Sequence, residues 1–347
     1  MRPDRGLRRL RWLRVTRKRR AHDPVVLLYH RVARAVPDPQ LLAVTPEQFD
    51  DHLALITDRF EAVPLAEIVA RARAGSGPRD VVTVTFDDGY ADNLFAAKPL
   101  LERHGVPATV FVASGVIENG RRFWWDELER LLLRPGRVPS PLTFQIAGER
   151  LRWELDGDAA YTSARAGELA GWTVLDAHVP GPRQQVYRDL CSRLRVLDET
   201  ERDHALEHLR RVVAPLQNDG DTPRPLTADE LALLADGDLV AIGAHTITHP
   251  VLSQLPAGRQ AEEIAGSKRQ LEAALNRSVT SFAYPYGAAG DFDWTTVSLV
   301  RDAGFSQACA SVAGRVRPRT NPFRIPRLLV RGWSADELER RLAAVAA

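Results

Sequence analysis

The chain alternates short apolar runs with amphipathic stretches. VVLLYH (25–30), VVTVTF (81–86), ATVFVAS (108–114), LVAIGAH (239–245), SFAYPY (281–286) and SQACAS (306–311) are rich in apolar and β-branched residues, as strands buried on both faces are. From residue 45, TPEQFDDHLALITDRF repeats Phe49, Leu53 and Ile56 at helical spacing, with Thr45 as a cap and Pro46 in the first turn. A short strand near Ala62–Pro64 is expected next, then helices through Leu65–Ala72, Leu94–His104, Ala257–Leu275 and Trp294–Ala303. SADELERRLAAVAA closes the chain as a helix capped by Ser334. Buried strands alternating with helices predict an α/β protein with a mainly parallel sheet or barrel.

Between about residues 121 and 225 the alternation breaks. WWDELERLLL reads as a helix, LTFQIAGERLRWEL as a hairpin, and the stretches around Gln184–Arg195 and Glu199–Val213 as two polar helices. This is the pattern of an insertion packed over one face of the body. PLTADELALLADG resumes the alternation, with Thr227 and Glu230 at capping-box spacing and Gly237 as a stop. The division expected is a basic disordered arm over residues 1–22 and a barrel over 23–347, interrupted at about 121–225.

Charge sharpens that division. The net charge of +2 splits into +9 for residues 1–20 and −7 for the remainder. The mildly acidic body argues against nucleic acid as a partner, whereas the arm suits a solvated tail or an anionic membrane surface. Its basic stretch is followed only by VVLLY, too short for a signal-peptide apolar region, and no stretch has the length of a membrane span. A cytoplasmic location is expected, peripheral at the inner membrane face if the arm binds lipid. Cys191 and Cys309 are far apart and outside any CxxC spacing, so neither a disulfide framework nor a cysteine-rich metal site is indicated.

The candidate chemistry collects where strands end. Asp87 and Asp88 follow VVTVTF, His30 ends VVLLY, His245 and His249 follow a buried strand in AHTITHP, and Tyr284–Gly287 end SFAY. In a parallel barrel these ends share one rim. Asp-Gly is also an ordinary turn signal, but turn residues alone would not gather ionisable groups at one rim. Two histidines and one aspartate make a three-ligand set with an open position, as in catalytic zinc sites. One aspartate could bind the metal while the other serves as base; a cation beside the pair removes much of their repulsion. His30 is a candidate proton donor because imidazole titrates near neutrality. Tyr90, Trp124, Trp125 and Trp294 are candidate sugar-stacking faces, although aromatics there also suit packing.

Taken in order, TFDDG, HTITH and FAYPYG resemble the first three motifs of the polysaccharide deacetylase family. LLYHRV, FWWDELE and GAHTITHPVL resemble a bacterial branch carrying a long insertion, and the similarity covers roughly residues 24–345. The resemblance implies a distorted (β/α)7 TIM-like barrel with a helical and hairpin insertion. It also implies a hydrolase removing an N-acyl group, first of all acetyl, from an amino sugar in a glycan or lipid-linked sugar. Asp87 would be the general base; Asp88, His245 and His249 would hold Zn2+ or another divalent transition metal; and the Tyr286 N–H would bind the oxyanion. The chain departs from the family pattern in three places. Ala283 stands where the third motif carries an arginine, so Arg327 in RIPRLL is the candidate to supply that guanidinium. No histidine follows His249, which removes the usual acid, and no downstream Asp-Trp motif is evident. Two other readings are a degenerate carbohydrate-binding barrel and a deformylase or small-acyl amidase.

Overall fold

β-branched residues set the frame, because their side chains suit the pleated surface of a buried strand. The computed structural model describes residues 23–345 except 36, 75–79, 147 and 216–222; the expected basic arm, 1–22, lies outside the described residues. The strands are β1 (Val25–Tyr29), β2 (Phe60–Ala62), β3 (Asp80–Phe86), β4 (Ala108–Val112), β5 (Val240–Ala244), β6 (Ser281–Ala283), β7 (Gln307–Cys309) and β8 (Leu328–Leu329). All pair in parallel in the order β7-β6-β5-β4-β3-β1-β8, and β2 joins β3 beside its first residues. Backbone bonds from Ile325 to Ala308 and from Ala310 to Ile325 tie β7 to the segment entering β8 and close the ring. The result is a distorted (β/α)7 barrel.

Alternation along each strand separates two cores. On β1, Leu27 and Tyr29 face outward and join Phe49 and Leu53 of the helix Pro46–Arg59 in the outer core. Val26 faces inward and packs with Phe111, Ala283, Cys309 and Ile325. Gly243 makes room for that interior: a Cβ there would lie 2.4 Å from the Phe111 ring. Thr83 and Thr85 are fully buried on β3, and their hydroxyls donate to the Val63 and Leu27 carbonyls at 2.9 and 2.7 Å. That bonding offsets the desolvation cost of two hydroxyls in an apolar wall.

The segment after β4 builds a third core. Helix α1 (Trp124–Leu132) packs on α2 (Pro182–Leu194) and α3 (Glu199–Val212), and the hairpin Leu142–Ile146/Glu149–Trp153 pairs antiparallel as its alternation predicts. The two helices that read as polar bury a stripe each, Val186, Tyr187, Leu190 and Leu194 on one and Ala205, Leu206 and Leu209 on the other. Fully buried Arg183 binds the carbonyls of Leu132, Arg134, Gly136, Asp158 and Ala159, so one guanidinium serves five backbone acceptors at once. Tyr90 and Ala113 of the barrel belong to the same apolar cluster, which seats the segment over the C-terminal rim.

Three boundaries differ from the sequence reading. The strand expected near Ala62–Pro64 lies two residues earlier, where Phe60–Ala62 pairs with Asp80–Val82. The helix expected over Leu94–His104 begins as a π-helical turn, Asn93–Ala97, before its α-helical part Lys98–His104. The strand in SFAYPY stops at Ala283, because Pro285 lacks an N–H and Tyr286 takes a left-handed φ of 59°.

Candidate metal and active site

β1, β3 and β5 deliver His30, Asp87, Asp88 and His245 to one rim, each one or two residues past the end of its strand. With His249 and Tyr286 they line a cavity of about 530 Å³, whose walls include Trp124, Trp125, Leu42 and Val174. The turns beneath it are strained. Asp88, Thr246, His249 and Tyr286 have φ of 76°, 67°, 57° and 59°, a left-handed conformation that costs a residue with a side chain about 1–3 kcal/mol. Strain of that kind persists where the surrounding contacts over-determine it. Here Thr246 Oγ1 accepts from His249 N at 3.1 Å, while Glu263 accepts from the N–H groups of Ile247 and Thr248 at 2.8 and 2.9 Å.

Asp88, His245 and His249 each offer one donor atom, all within 4.8 Å of one another, and all three side chains are buried. His245 Nδ1 lies 2.7 Å from the Ala283 carbonyl, an acceptor only, so Nδ1 carries the proton and the Nε2 lone pair is left for a ligand. His249 Nδ1 is buried without a hydrogen-bond partner. Burial pushes His245 down to about 4 and His249 to about 3, so both imidazoles are neutral at pH 7, the form that binds metal. Burial raises the Asp88 carboxyl, a cost that a bound cation would offset. One carboxylate and two neutral imidazoles fit a divalent metal of the zinc class.

Asp87 has a different environment. Arg327 is fully buried and grips it with two bonds, Nη1 to Oδ1 and Nη2 to Oδ2, both 2.7 Å. Burial alone would raise Asp87, but the Arg327 charge and hydrogen bonds outweigh it and hold the carboxyl below its ordinary value. Asp87 Oδ2 lies 3.9 Å from His245 Nε2, so the paired carboxylate borders the donor cluster. The Tyr286 N–H has no acceptor among the described residues. His30 lines the same cavity; its Nδ1 is covered and unpartnered, and burial lowers its pKa.

The aromatic candidates separate. Trp124 and Trp125 line the cavity, with Trp125 edge-on to His249 at 5.1 Å. Tyr90 is fully buried: its hydroxyl donates to Asp126 at 2.8 Å and accepts from Trp125 Nε1 at 2.8 Å, so it holds a wall and offers no face to a sugar. Trp294 is 64% exposed beneath Arg324 and lies outside the cavity lining. Sequence reasoning missed Glu263, which braces the histidine turn from the helix Ala257–Leu275, and Asp126, which fixes Tyr90. Glu263 carries no signal in the sequence, where it reads as one more charge on a polar helix face. Asp126 lay within the FWWDELE stretch already noted.

Residues 74–137 and 213–308 match the family model described as polysaccharide deacetylase, leaving 138–212 unmatched. Over 108 residues the chain is 29% identical to Bacillus subtilis YxkH, provisionally named a polysaccharide deacetylase. That match spans 30% of this chain and 37% of YxkH. The fold superposes on Streptococcus pyogenes deacetylase PplD, solved with acetate, with a TM-score of 0.53 at 18% identity, covering 92% of this chain and 97% of PplD. It also superposes on IcaB from Ammonifex degensii with a TM-score of 0.55 at 19% identity, covering 94% and 98%. The two matched stretches, residues 74–137 and 213–308, are those of a polysaccharide deacetylase domain.

Proposed function

We propose that the protein is a metal-dependent hydrolase that removes an N-acetyl group from an amino sugar in a glycan or glycolipid. The observation that carries this reading is the pairing of two unlike sites on one cavity floor: a buried Asp-His-His donor set beside a carboxylate kept ionised by a buried arginine. Asp88, His245 and His249 would hold the metal, with zinc as the first candidate. When bound, the ion supplies Lewis acidity, which polarises a carbonyl and lowers the pKa of water.

The chain's own groups take the remaining roles. Asp87, held ionised and oriented by Arg327, accepts the proton of the attacking water. The free N–H of Tyr286 donates to the oxygen on which negative charge develops, where a preorganised donor gives more than it would in water. We assign His30 to the leaving amine: its resting imidazole is neutral, so it takes a proton from solvent and passes it to the amine, while Asp87 returns the proton of the attacking water to solvent. Trp124 and Trp125, whose rings stand at 83° to each other, supply apolar lining for a sugar ring.

Metal analysis of the purified protein, coupled to acetate and formate release from a panel of N-acylated glycans, tests the reading. Acetate release that tracks metal content is expected. Formate release alone would move the assignment to a small-acyl amidase, and glycan binding without either product to a binding barrel. For His30→Ala, metal retained with a large rate loss is expected; an unchanged rate would remove His30 from the proton-donor role.

A further inference from the structure

The cavity roof comes from α2, which lies wholly within the stretch the family model leaves unmatched; the helix brings Arg188 to the lining, and its C-cap residue is Arg195. They differ in one respect. Arg195 is paired with Asp291 at 2.6 Å and lies over the Tyr286 ring, so its charge is already met. Arg188 has no carboxylate within ion-pair distance among the described residues. Its guanidinium lies over the Trp172 ring at 5.3 Å, and Nη2 donates to the Asp176 carbonyl at 2.5 Å. Nε is covered and donates to nothing. The nearest acid on its own helix, Asp189, is turned to Trp153 and Gln185, whose N–H groups it accepts at 2.9 and 2.7 Å.

The surroundings hold Arg188 where it is. Val174 N bonds to the Pro39 carbonyl at 2.9 Å and Gln40 Nε2 to the Tyr187 hydroxyl at 3.0 Å, which ties this roof to the first barrel loop on two sides. Leu42, Val174 and Trp124 line the space below it, and apolar walls strengthen the field of a lone cation. A guanidinium that keeps free donors beside such a space is matched to a carboxylate or phosphate, which it binds with charge-assisted, directional bonds.

We propose that Arg188 selects an anionic substrate: an N-acylated amino sugar bearing a carboxylate or phosphate group, with that group seated under α2 while the acylated nitrogen lies at the cavity floor. This rests on the deacetylase reading for the identity of the sugar, and on the cavity alone for the anion.

The test uses the full chain and three probes: a neutral N-acetylhexosamine disaccharide, a disaccharide of N-acetylhexosamine with a uronic acid, and N-acetylhexosamine 1-phosphate. Dissociation constants come from calorimetry and kcat/KM from acetate release, for wild type, Arg188→Gln and Arg193→Gln. Arg193 lies on the same helix, pairs with Glu149 and is not part of the cavity lining, so it controls for charge alone. Wild type should bind at least one anionic probe about tenfold or more tightly than the neutral one, the scale of a hydrogen bond to a charged group. In Arg188→Gln that ratio should fall to near unity, and in Arg193→Gln it should persist. Whichever anionic probe carries the preference identifies the group as carboxylate or phosphate. Equal affinities in wild type, or a preference that survives Arg188→Gln, overturn the proposal. Arg188-dependent binding without acetate release from any probe would remove the deacetylase reading and leave this one standing. Equal acetate release from all three probes, indifferent to Arg188, would do the reverse.

Discussion

Arg327 and Asp87 stand 240 positions apart in the chain and meet in a two-pronged ion pair, both N–O distances 2.7 Å, closed off from solvent. The arginine stands just before the last barrel strand and the aspartate just after the third, so their contact exists only once β8 has docked beside β1, one strand away from β3. It explains how adjacent aspartates can differ. Asp87 is held ionised by a neighbouring cation, whereas Asp88 is left to burial and the two histidines. The guanidinium also donates to the Ala310 carbonyl at 3.0 Å and to Thr85 Oγ1 at 3.3 Å, which fixes its plane against β7 and β3.

Arg327→Gln should therefore cost about 3–5 kcal/mol of stability, the usual loss when one partner of a buried pair is removed. Asp87→Asn with Arg327→Gln together should recover most of it, because neither charge is then left alone, while activity stays low. Denaturant midpoints of Arg327→Gln, Asp87→Asn and the double variant check this. A single variant as stable as wild type would show that the pair is not what holds Asp87.

Metal content should divide the two aspartates. Asp88→Asn, His245→Ala and His249→Ala should each lose stoichiometric zinc by elemental analysis, and Asp87→Asn should keep it while hydrolysis falls by roughly 10² to 10⁴. Glu263→Gln keeps the shape but weakens the brace on the turn between the histidines; metal affinity should drop about 10-fold or more, as for other groups that orient ligands. Zinc loss in Asp87→Asn would mean that the aspartate roles are exchanged.

Asp126 makes the fold sensitive to pH. Burial first of all pushes its carboxyl up to about 8, with the Arg31 charge opposing. In the unfolded chain it titrates near 4. The folded state therefore keeps a proton that the unfolded state gives up. Its contribution to stability is full below about pH 4, declines as pH rises, and is gone above about 8. Relative to Asp126→Asn, which can still accept from the Tyr90 hydroxyl, wild type should lose at most about 1.4 kcal/mol per pH unit across that window. Parallel urea titrations read the difference; a gap independent of pH would mean that Asp126 is ionised in the fold.

The barrel was legible because its strands are runs of branched apolar residues and their helices carry caps. Thr45 and Thr227 form capping boxes, the latter with Glu230 at the spacing the sequence shows. What failed was local: Ala283, Tyr284, Pro285 and Tyr286 look like a continued strand, and only the backbone needs of proline and of the left-handed Tyr286 end it. Among the site groups, Asp87, Asp88, His245 and His249 were visible because each follows a strand. Arg327 was visible only as a vacancy to be filled, since Ala283 stands where an arginine was expected. Glu263 and Arg188 were not legible. Each is a charge on an amphipathic helix, and its meaning comes from what the closed fold sets beside it, a strained turn for one and an apolar cavity for the other.

Gly287 tests whether the turn that presents the Tyr286 N–H depends on close backbone approach. Its φ is +72°, and a Cβ there would lie 2.6 Å from Ser311 Oγ and 2.7 Å from Ser311 N. Ser311 N donates to the Gly287 carbonyl at 2.8 Å, so that neighbour cannot withdraw without breaking the link between the turn and the segment after β7. Gly304 is the comparison, with a φ of +83° and nothing within 4 Å of its virtual Cβ. Gly304→Ala should cost only the left-handed backbone penalty, about 1–2 kcal/mol, with kcat unchanged. Gly287→Ala should cost more than that and lower kcat by about 10- to 1000-fold, the range for losing an oxyanion donor, while zinc content stays at one per chain. If the two variants lose stability equally and Gly287→Ala keeps wild-type kcat, the Tyr286 N–H does not serve the reaction.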